Sequence, residues 1–143
     1  MTYASKPAMI ARFGESEVIA LSDRDRLGVI DDVVLTAALV EVDAEIDPYL
    51  ASRYTVPLTT VPKVLSGFAC DMVRYRLCGT GGVIETDEIR NRYKDAVKFL
   101  EAVSNGKILL GLDAANVAPN HPSQVQIVNG GDRVFTRDSL QGF

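Results

Sequence analysis

The sequence predicts a mainly α-helical protein: a small bundle of four to five helices with a central hairpin of two long helices, followed by an extended C-terminal arm or β-hairpin. Two observations lead to this fold. Apolar residues recur at steps of three and four up to about residue 112, the spacing that lines one face of a helix. Beyond that point, turn residues and short polar–apolar alternation take over. We therefore divide the chain into a helical domain, residues 1–112, and an arm, residues 113–143.

Two short helices are predicted near the N-terminus. Ser5 can cap the first helix, because its hydroxyl can accept a hydrogen bond from a free backbone N–H of the first turn. Gly14 suits the end of that helix, where glycine readily takes the left-handed backbone conformation. The second helix covers about Glu15 to Leu21, and a charged connection, residues 22–26, follows it.

The first long helix of the central hairpin is predicted from Asp32 to about Tyr54, with Asp31 or Asp32 as its N-cap. Pro48 lies inside this pattern, where a proline removes the hydrogen bond to the carbonyl of Ala44. We therefore expect the helix to bend or break between Ala44 and Pro48. The positions predicted to face the core are Leu35, Leu39, Val42, Ile46, Tyr49 and Leu50.

The second long helix is predicted from about Pro62 to Cys78, with Thr60 as its N-cap. An elbow, residues 56–62, separates the two long helices, and its two prolines cannot continue a helix. This elbow is longer than the three- or four-residue turn of a DNA-binding helix-turn-helix, and the second helix does not begin with basic residues. Its predicted core positions are Leu65, Phe68, Ala69, Met72 and Tyr75.

A last long helix and the arm complete the predicted fold. Thr86 can cap a helix that Asn105 and Gly106 close, and a short apolar turn or strand, residues 107–112, follows. Within the arm, residues 124–128 and 133–137 alternate around a turn-forming Asn-Gly-Gly-Asp sequence. A lone two-stranded hairpin is only marginally stable in water. We therefore expect the arm to pack on its own domain or on another molecule.

Composition and charge argue against several classes of function. The net charge of −4 does not favour a general nucleic-acid binder, which needs a basic footprint. No apolar run approaches the roughly 18 to 20 residues that span a bilayer, and no secretory signal is visible. Cys70 and Cys78 would lie about 12 Å apart on one helix, too far for a disulfide. Two free thiols indicate a reducing compartment, hence the cytoplasm.

Few residues could carry chemistry. His121 lies in a proline-flanked turn, and one histidine with two cysteines does not make a zinc site, which takes four ligands at recognisable spacings. Asp43, Glu45 and Asp47 alternate along a helix, so they do not converge, and we predict that they form a solvated acidic face. We predict no catalytic residue, no metal site and no cofactor.

A polar cluster is predicted between the two long helices. Asp71 lies near the apolar stripe of the second helix, and Arg74, three residues on, is placed to form an ion pair with it. Other arginines could reach Asp71 after folding. We predict a structural network that fixes the angle between the long helices, formed by Arg53, Asp71, Arg74 and Arg76.

Short motifs that follow one another along nearly the whole chain resemble one family. They are YA at 3–4, RFGE at 12–15, VDAEIDPYLASRY at 42–54, VPL at 56–58, VP at 61–62, CDMVRYRL at 70–77, RYKDA at 92–96, FL at 99–100 and FTRDSLQGF at 135–143. In this order the set resembles the Mu-type tailed-phage and prophage proteins that form the head–tail connector, or neck, beneath the portal. Pro48 departs from the helix-favouring residue expected at its position.

The resemblance implies a small helical adaptor without catalytic activity. Such adaptors assemble in the host cytoplasm and end in the virion neck as a ring, commonly of twelve subunits, docked on the portal protein. They extend the DNA channel and offer a platform to the next neck or tail-completion protein. The acidic balance of this chain suits a channel that lets DNA pass without gripping it.

The arm is predicted to carry the contacts to a neighbouring subunit or to the portal. The composition change at about Asp113 and the isolated hairpin pattern lead to this prediction. The apolar residues predicted to bind a partner are Val134, Phe135, Leu140 and Phe143, and the polar ones are Arg133 and Arg137.

Three other readings remain open from the sequence. Another virion protein, such as a neck, tail-completion or scaffolding factor, would need the same helical body and arm. A small helical DNA-binding regulator is disfavoured by the charge and by the long elbow. A small helical enzyme is disfavoured because polar groups do not converge on one place.

Overall fold

A computed structural model describes residues 2–79 and 83–112, and it confirms that the protein is mainly α-helical. Within these two ranges the chain contains five helices and no β-strand. The predicted β-hairpin of the C-terminal arm lies outside the described residues. So do His121 and all six arm residues predicted to bind a partner. The helices are α1 (Lys6–Phe13), α2 (Glu15–Ser22), α3 (Asp32–Ala51), α4 (Lys63–Leu77) and α5 (Asp87–Ser104).

Side-chain caps begin three of the helices, as the sequence predicts. Ser5, Asp31 and Thr86 each have extended backbone, and each side chain accepts a hydrogen bond from a backbone N–H two or three residues further on. Gly14 ends α1 with φ of 88°, a conformation that residues with a Cβ rarely adopt. The caps satisfy N–H groups that have no partner inside a helix, so they fix where α1, α3 and α5 begin.

The N-cap of α4 is Pro62, and the prediction of Thr60 is wrong. Pro62 has φ of −61° and ψ of 142°, so its backbone is still extended, yet its carbonyl already accepts the N–H of Ser66 at 3.0 Å. Pro62 therefore takes the cap position, because the restricted φ of proline suits it, and the helix begins one residue later at Lys63. No side chain caps this helix.

Helix α3 runs unbroken through Pro48, so the break considered at that residue does not occur. The helix ends at Ala51, three residues before the predicted end at Tyr54. Beyond this end, Tyr54 is buried, and its hydroxyl accepts a hydrogen bond of 3.0 Å from the N–H of Leu110. Leu110 is buried as well, so the segment after α5 folds back against the end of α3.

The core lies between α3, α4 and α5, each of which packs against the other two. Stacked aromatic pairs join α4 to α5, with ring centroids 4.5 Å apart for Phe68 and Phe99 and 4.3 Å apart for Tyr75 and Tyr93. Helix α1 packs against α2 and α4. None of these five helices is both long enough and apolar enough to cross a bilayer. The largest fully buried side chains include Met9, Leu21, Leu35, Ile46, Leu50, Leu65, Met72 and Leu100.

The two threonines before α4 and α5 give a direct test of the capping assignment. Thr86→Ala removes the acceptor of the Ile89 N–H, which lies 3.3 Å from Thr86 Oγ1. We expect it to lower the free energy of unfolding by about 1 kcal/mol. Thr60→Ala removes no cap, and we expect a change within about 0.5 kcal/mol. Urea unfolding of both variants measures the difference, and an equal loss in the two would contradict the assignment.

Candidate interaction surface

Asp71 is the one charged residue that is buried in the described part of the chain. Its side chain is buried, and its two carboxylate oxygens accept hydrogen bonds from Arg12, at 3.1 Å from Nε and 2.7 Å from Nη2. A guanidinium bound in this two-point way fixes orientation as well as distance. Arg92 lies 3.8 Å from the same carboxylate. Asp71 therefore links α4 to α1 on one side and to α5 on the other.

Two further arginines of α4 bind the surrounding helices. Arg74 pairs with Glu17 of α2 at 2.6 Å, and its guanidinium lies 4.8 Å from the centre of the Phe13 ring. Arg76 forms an ion pair with Glu45 of α3 and lies within 3.5 Å of Glu41. These pairs hold α4 against α2 and α3 respectively.

The four residues predicted to form one network are divided among separate contacts. Asp71 does not pair with Arg74, because a guanidinium from α1 reaches its carboxylate with two hydrogen bonds and Arg74 is held by α2. Arg76 joins the two long helices directly, through Glu45. Arg53, at the end of α3, lies against the backbone of Gly106. Polar contacts thus brace the bundle, but through partners that lie far apart in sequence.

The acidic residues of α3 do not form the solvated face that the sequence predicts. Asp43 accepts the backbone N–H of Tyr3 at 2.8 Å, and Asp47 accepts the hydroxyl of the same tyrosine. Glu45 accepts the hydroxyl of Tyr93 at 2.6 Å. All three carboxylates are partly buried, because the N-terminal segment and α5 pack over them. They bind other parts of the body to α3.

Burial and these carboxylates shift the pKa values of both tyrosines upward. Desolvation is the largest cause for Tyr93, followed by its hydrogen bond to Glu45, and the pKa of its hydroxyl rises to about 12. The pKa of Tyr3 is raised for the same reasons, with Asp47 as its acceptor. A phenolate beside a carboxylate is unfavourable, so both tyrosines remain protonated and donate.

A different face of α3 carries exposed apolar residues, and sequence reasoning missed it. Val33 is 80% exposed and Val40 is 56% exposed, although both are large apolar side chains on a helix. They line a shallow groove that is wide open to solvent, together with Thr36 and Ala37. Asp32 and Glu41 also line this groove. We call this surface the α3 groove; its residues are Asp32, Val33, Thr36, Ala37, Val40 and Glu41.

Helix α3 is apolar on two faces, one of which carries the α3 groove. The inner face packs in the core through Leu35, Leu39 and Val42, and the outer face carries Val33, Ala37 and Val40 at the same spacing of three and four. A helix that is apolar on most of its circumference is normally buried on all sides. The signal was therefore present in the sequence as a second stripe, offset from the first. The outer stripe is a candidate surface for contact with another protein.

The described residues offer little that would support catalysis. No group of three or more His, Cys, Asp or Glu side chains within residues 2–79 and 83–112 could hold a metal ion. Both cysteines are free thiols, and burial raises the pKa of Cys70 to about 11 and also raises that of Cys78. A thiol with a raised pKa is a poor nucleophile at neutral pH.

The fold and its surface are those of a small helical protein with an uncovered apolar helix face, and comparison with known proteins gives its family. Residues 3–129 match the family described as Bacteriophage Mu, Gp36. The Mu-like prophage FluMu protein gp36 of Haemophilus influenzae is 30% identical over 141 residues, covering 99% of this chain and 97% of that protein. Gene product J of Escherichia phage Mu is 31% identical over 138 residues, covering 96% of each chain. The protein belongs to the Bacteriophage Mu Gp36 family, which confirms the Mu-type resemblance of its motifs.

The contact between Arg12 and Asp71 can be measured by a double-mutant cycle. Asp71→Ala leaves the guanidinium of Arg12 without its acceptor, and we expect a loss of about 2 kcal/mol in the free energy of unfolding. The loss stays below that of a fully buried pair because the Arg12 side chain is 38% exposed and can be solvated. Arg12→Ala and the double variant complete the cycle, with a coupling energy of about 1–2 kcal/mol expected from a charged hydrogen-bonded pair.

The matched control is Asp95→Ala, which removes an exposed carboxylate 3.9 Å from Lys98 on α5. We expect a change within about 0.5 kcal/mol. A coupling energy near zero between Arg12 and Asp71, or a loss for Asp95→Ala as large as for Asp71→Ala, would show that the buried pair does not brace the bundle.

The raised pKa of Tyr93 predicts a loss of stability at high pH. The folded protein holds this proton up to a pKa of about 12, against 10.0 for an ordinary tyrosine. The hydroxyl therefore stabilises the folded state below pH 10, and its contribution falls as the pH rises towards 12. We expect Tyr93→Phe to be less stable than the natural protein at pH 8 and to approach it at higher pH. Thermal unfolding across this range tests it, and a constant difference between the two proteins would contradict the linkage.

Proposed function

We propose that the protein is a head–tail connector, or adaptor, subunit of a Mu-like phage. In this role it assembles as a ring, commonly a dodecamer, beneath the portal in the host cytoplasm and becomes part of the virion neck. The ring extends the DNA channel and links the head to the next neck or tail-completion protein. Membership of the Bacteriophage Mu Gp36 family supports a place in such a particle.

The observation that carries the proposal is the exposed apolar face of α3. Burying one valine side chain at an interface contributes about 1.5 kcal/mol or more, and the groove presents Val33 and Val40 together with Ala37. A closed ring repeats the same contact at each subunit boundary. The free energy gained at one subunit boundary is modest, but its sum over all boundaries stabilises the whole ring substantially.

The internal ion pairs support the same proposal. They connect α4 to α1, α2, α3 and α5, so they hold the body in one shape while it presents its outer surface. A connector works by surface shape and needs no catalytic residue, metal or cofactor. DNA would only pass through the ring, and the net charge of −4 suits a channel that does not retain it.

The arm supplies a second set of contacts in this proposal. Its apolar residues would bind a neighbouring subunit or the portal, with the arginines forming polar contacts beside them. The proposed partner-binding residues of the arm are Arg133, Val134, Phe135, Arg137, Leu140 and Phe143.

The proposal is tested by measuring the mass of the purified full-length protein, alone and with portal protein, by native mass spectrometry. We expect a ring, either free or formed on the portal. Val40→Glu places a charge in the α3 groove, and we expect it to reduce ring formation about tenfold or more, equivalent to about 1.4 kcal/mol or more. Ile84→Glu is the matched control, because Ile84 is equally apolar, is 83% exposed and lies outside the groove.

Two results would contradict the connector. One is the absence of any portal-bound or ring-sized species for the natural protein. The other is a monomer that retards duplex DNA in a gel, which would support the DNA-binding regulator. Binding to a tail-side protein but not to portal would assign it as a tail-completion protein of the same particle.

A further inference from the structure

We propose that the α3 groove of one subunit receives residues 133–137 of the C-terminal arm of a neighbouring copy. The inference rests on the proposed ring, and it names the surface and the segment that join two subunits. The groove has an apolar floor and a carboxylate near each end, and the arm carries an aromatic residue between two arginines.

The two carboxylates of the groove remain open to solvent. The side chain of Asp32 is 68% exposed and that of Glu41 is 57% exposed. Among the described residues each forms one ion pair: Lys6 lies 2.6 Å from Asp32 Oδ1, and Arg76 lies 3.5 Å from Glu41 Oε2. A carboxylate has about four acceptor positions on its two oxygens. Both residues can therefore accept a further guanidinium without losing the present contact.

The sequence Arg-Val-Phe-Thr-Arg at 133–137 matches this surface in polarity. In an extended segment, alternate residues lie on the same face. Arg133, Phe135 and Arg137 would then share one face, with the aromatic ring between the two cations. Placed on the groove, that face would set Phe135 against the valines and each arginine near a carboxylate.

The spacing agrees as well. Asp32 and Glu41 are nine residues apart on α3, which is about 13.5 Å along a helix that rises 1.5 Å per residue. Nine residues are also about two and a half helical turns, so the two carboxylates lie on opposite edges of the groove as well as near its two ends. Arg133 and Arg137 are four residues apart, which is about 13 Å in a strand that rises about 3.3 Å per residue. An arm segment that crosses the groove obliquely would therefore bring its two long arginine side chains near the two carboxylates, with the aromatic side chain near the middle of the groove.

A neighbouring copy is the occupant that we propose, because a ring places a second subunit beside each groove. The described part of the chain ends at Leu112, and the nearby Leu110 is bound to Tyr54 past the end of α3. The groove lies on the first ten residues of that helix, about 15 Å or more from its last residue along the axis. From Leu112 to Arg133 the chain can span up to about 70 Å when extended, enough to reach the next subunit of a ring.

Disulfide trapping between two different full-length chains tests this contact. One chain carries Val40→Cys, and the other carries Phe135→Cys and an isotopic label. The two chains are mixed in a mild oxidant under two conditions: without portal at high protein concentration, and with portal protein. We expect a covalent dimer with one chain of each kind. The natural chains with Cys70 and Cys78 give the background, and Ile84→Cys replaces Val40→Cys as the positional control. Equal dimer yield with Ile84→Cys, or no mixed dimer in either condition, would overturn the proposal.

A single chain carrying both Val40→Cys and Phe135→Cys tests whether the groove is instead occupied by the arm of the same chain. A bond formed only within that chain would show that the arm covers its own body, which contradicts an arm exchanged between copies. Portal binding is scored separately by sedimentation of the same mixtures. Portal-bound rings without the trapped dimer would retain the connector and refute this contact. A trapped dimer without portal binding would support this contact and refute the connector.

Charge reversal tests the polar half of the contact. Glu41→Arg places a cation where we expect an arm arginine, and it should lower the yield of mixed dimer about two- to fivefold, the range expected of an exposed ion pair. Adding Arg133→Glu or Arg137→Glu should restore the yield, and the variant that does so gives the direction of the arm. Glu101→Arg on the exposed surface of α5 is the control. Recovery with neither arm variant would contradict the paired charges.

Discussion

The body of this protein depends on one buried carboxylate, that of Asp71. Removing a charge from water is costly, so a buried carboxylate requires partners in a fixed geometry. Arg12 supplies two hydrogen bonds from α1, and Arg92 approaches from α5. Three helices are thereby held around one point. The ion pairs of Arg74 and Arg76 extend this bracing to α2 and α3, which sets how the outer face of α3 is presented.

Local features of the fold could be predicted from the sequence, but the partners of its charged residues could not. The caps Ser5, Asp31 and Thr86 and the inner face of α3 follow from interactions that span a few residues. The prediction of Thr60 as the N-cap of α4 is wrong because a proline near a helix start can occupy either the cap position or the first turn. Arg12 lies 59 residues from Asp71 in the chain, and helical spacing gives no information on such a pair.

Helix α3 shows why its surface was misjudged. Its acidic residues suggested a solvated face, but Asp43, Glu45 and Asp47 are covered by tyrosines from the N-terminal segment and from α5. The apolar residues Val33 and Val40 are the ones that remain exposed. Polar residues thus bind the parts of one subunit together, while apolar residues face outward. This arrangement suits a subunit whose apolar surface is buried against another copy of the same protein, since large exposed apolar patches are otherwise disfavoured.

The central claim is that the outer face of α3 lies between subunits of a ring. An electron cryomicroscopy reconstruction of the full-length protein assembled on its portal tests this claim most directly. We expect the α3 groove to be covered by polypeptide of the adjacent subunit, with Val33 and Val40 excluded from water. A reconstruction in which this face is open to solvent or lines the DNA channel would contradict it.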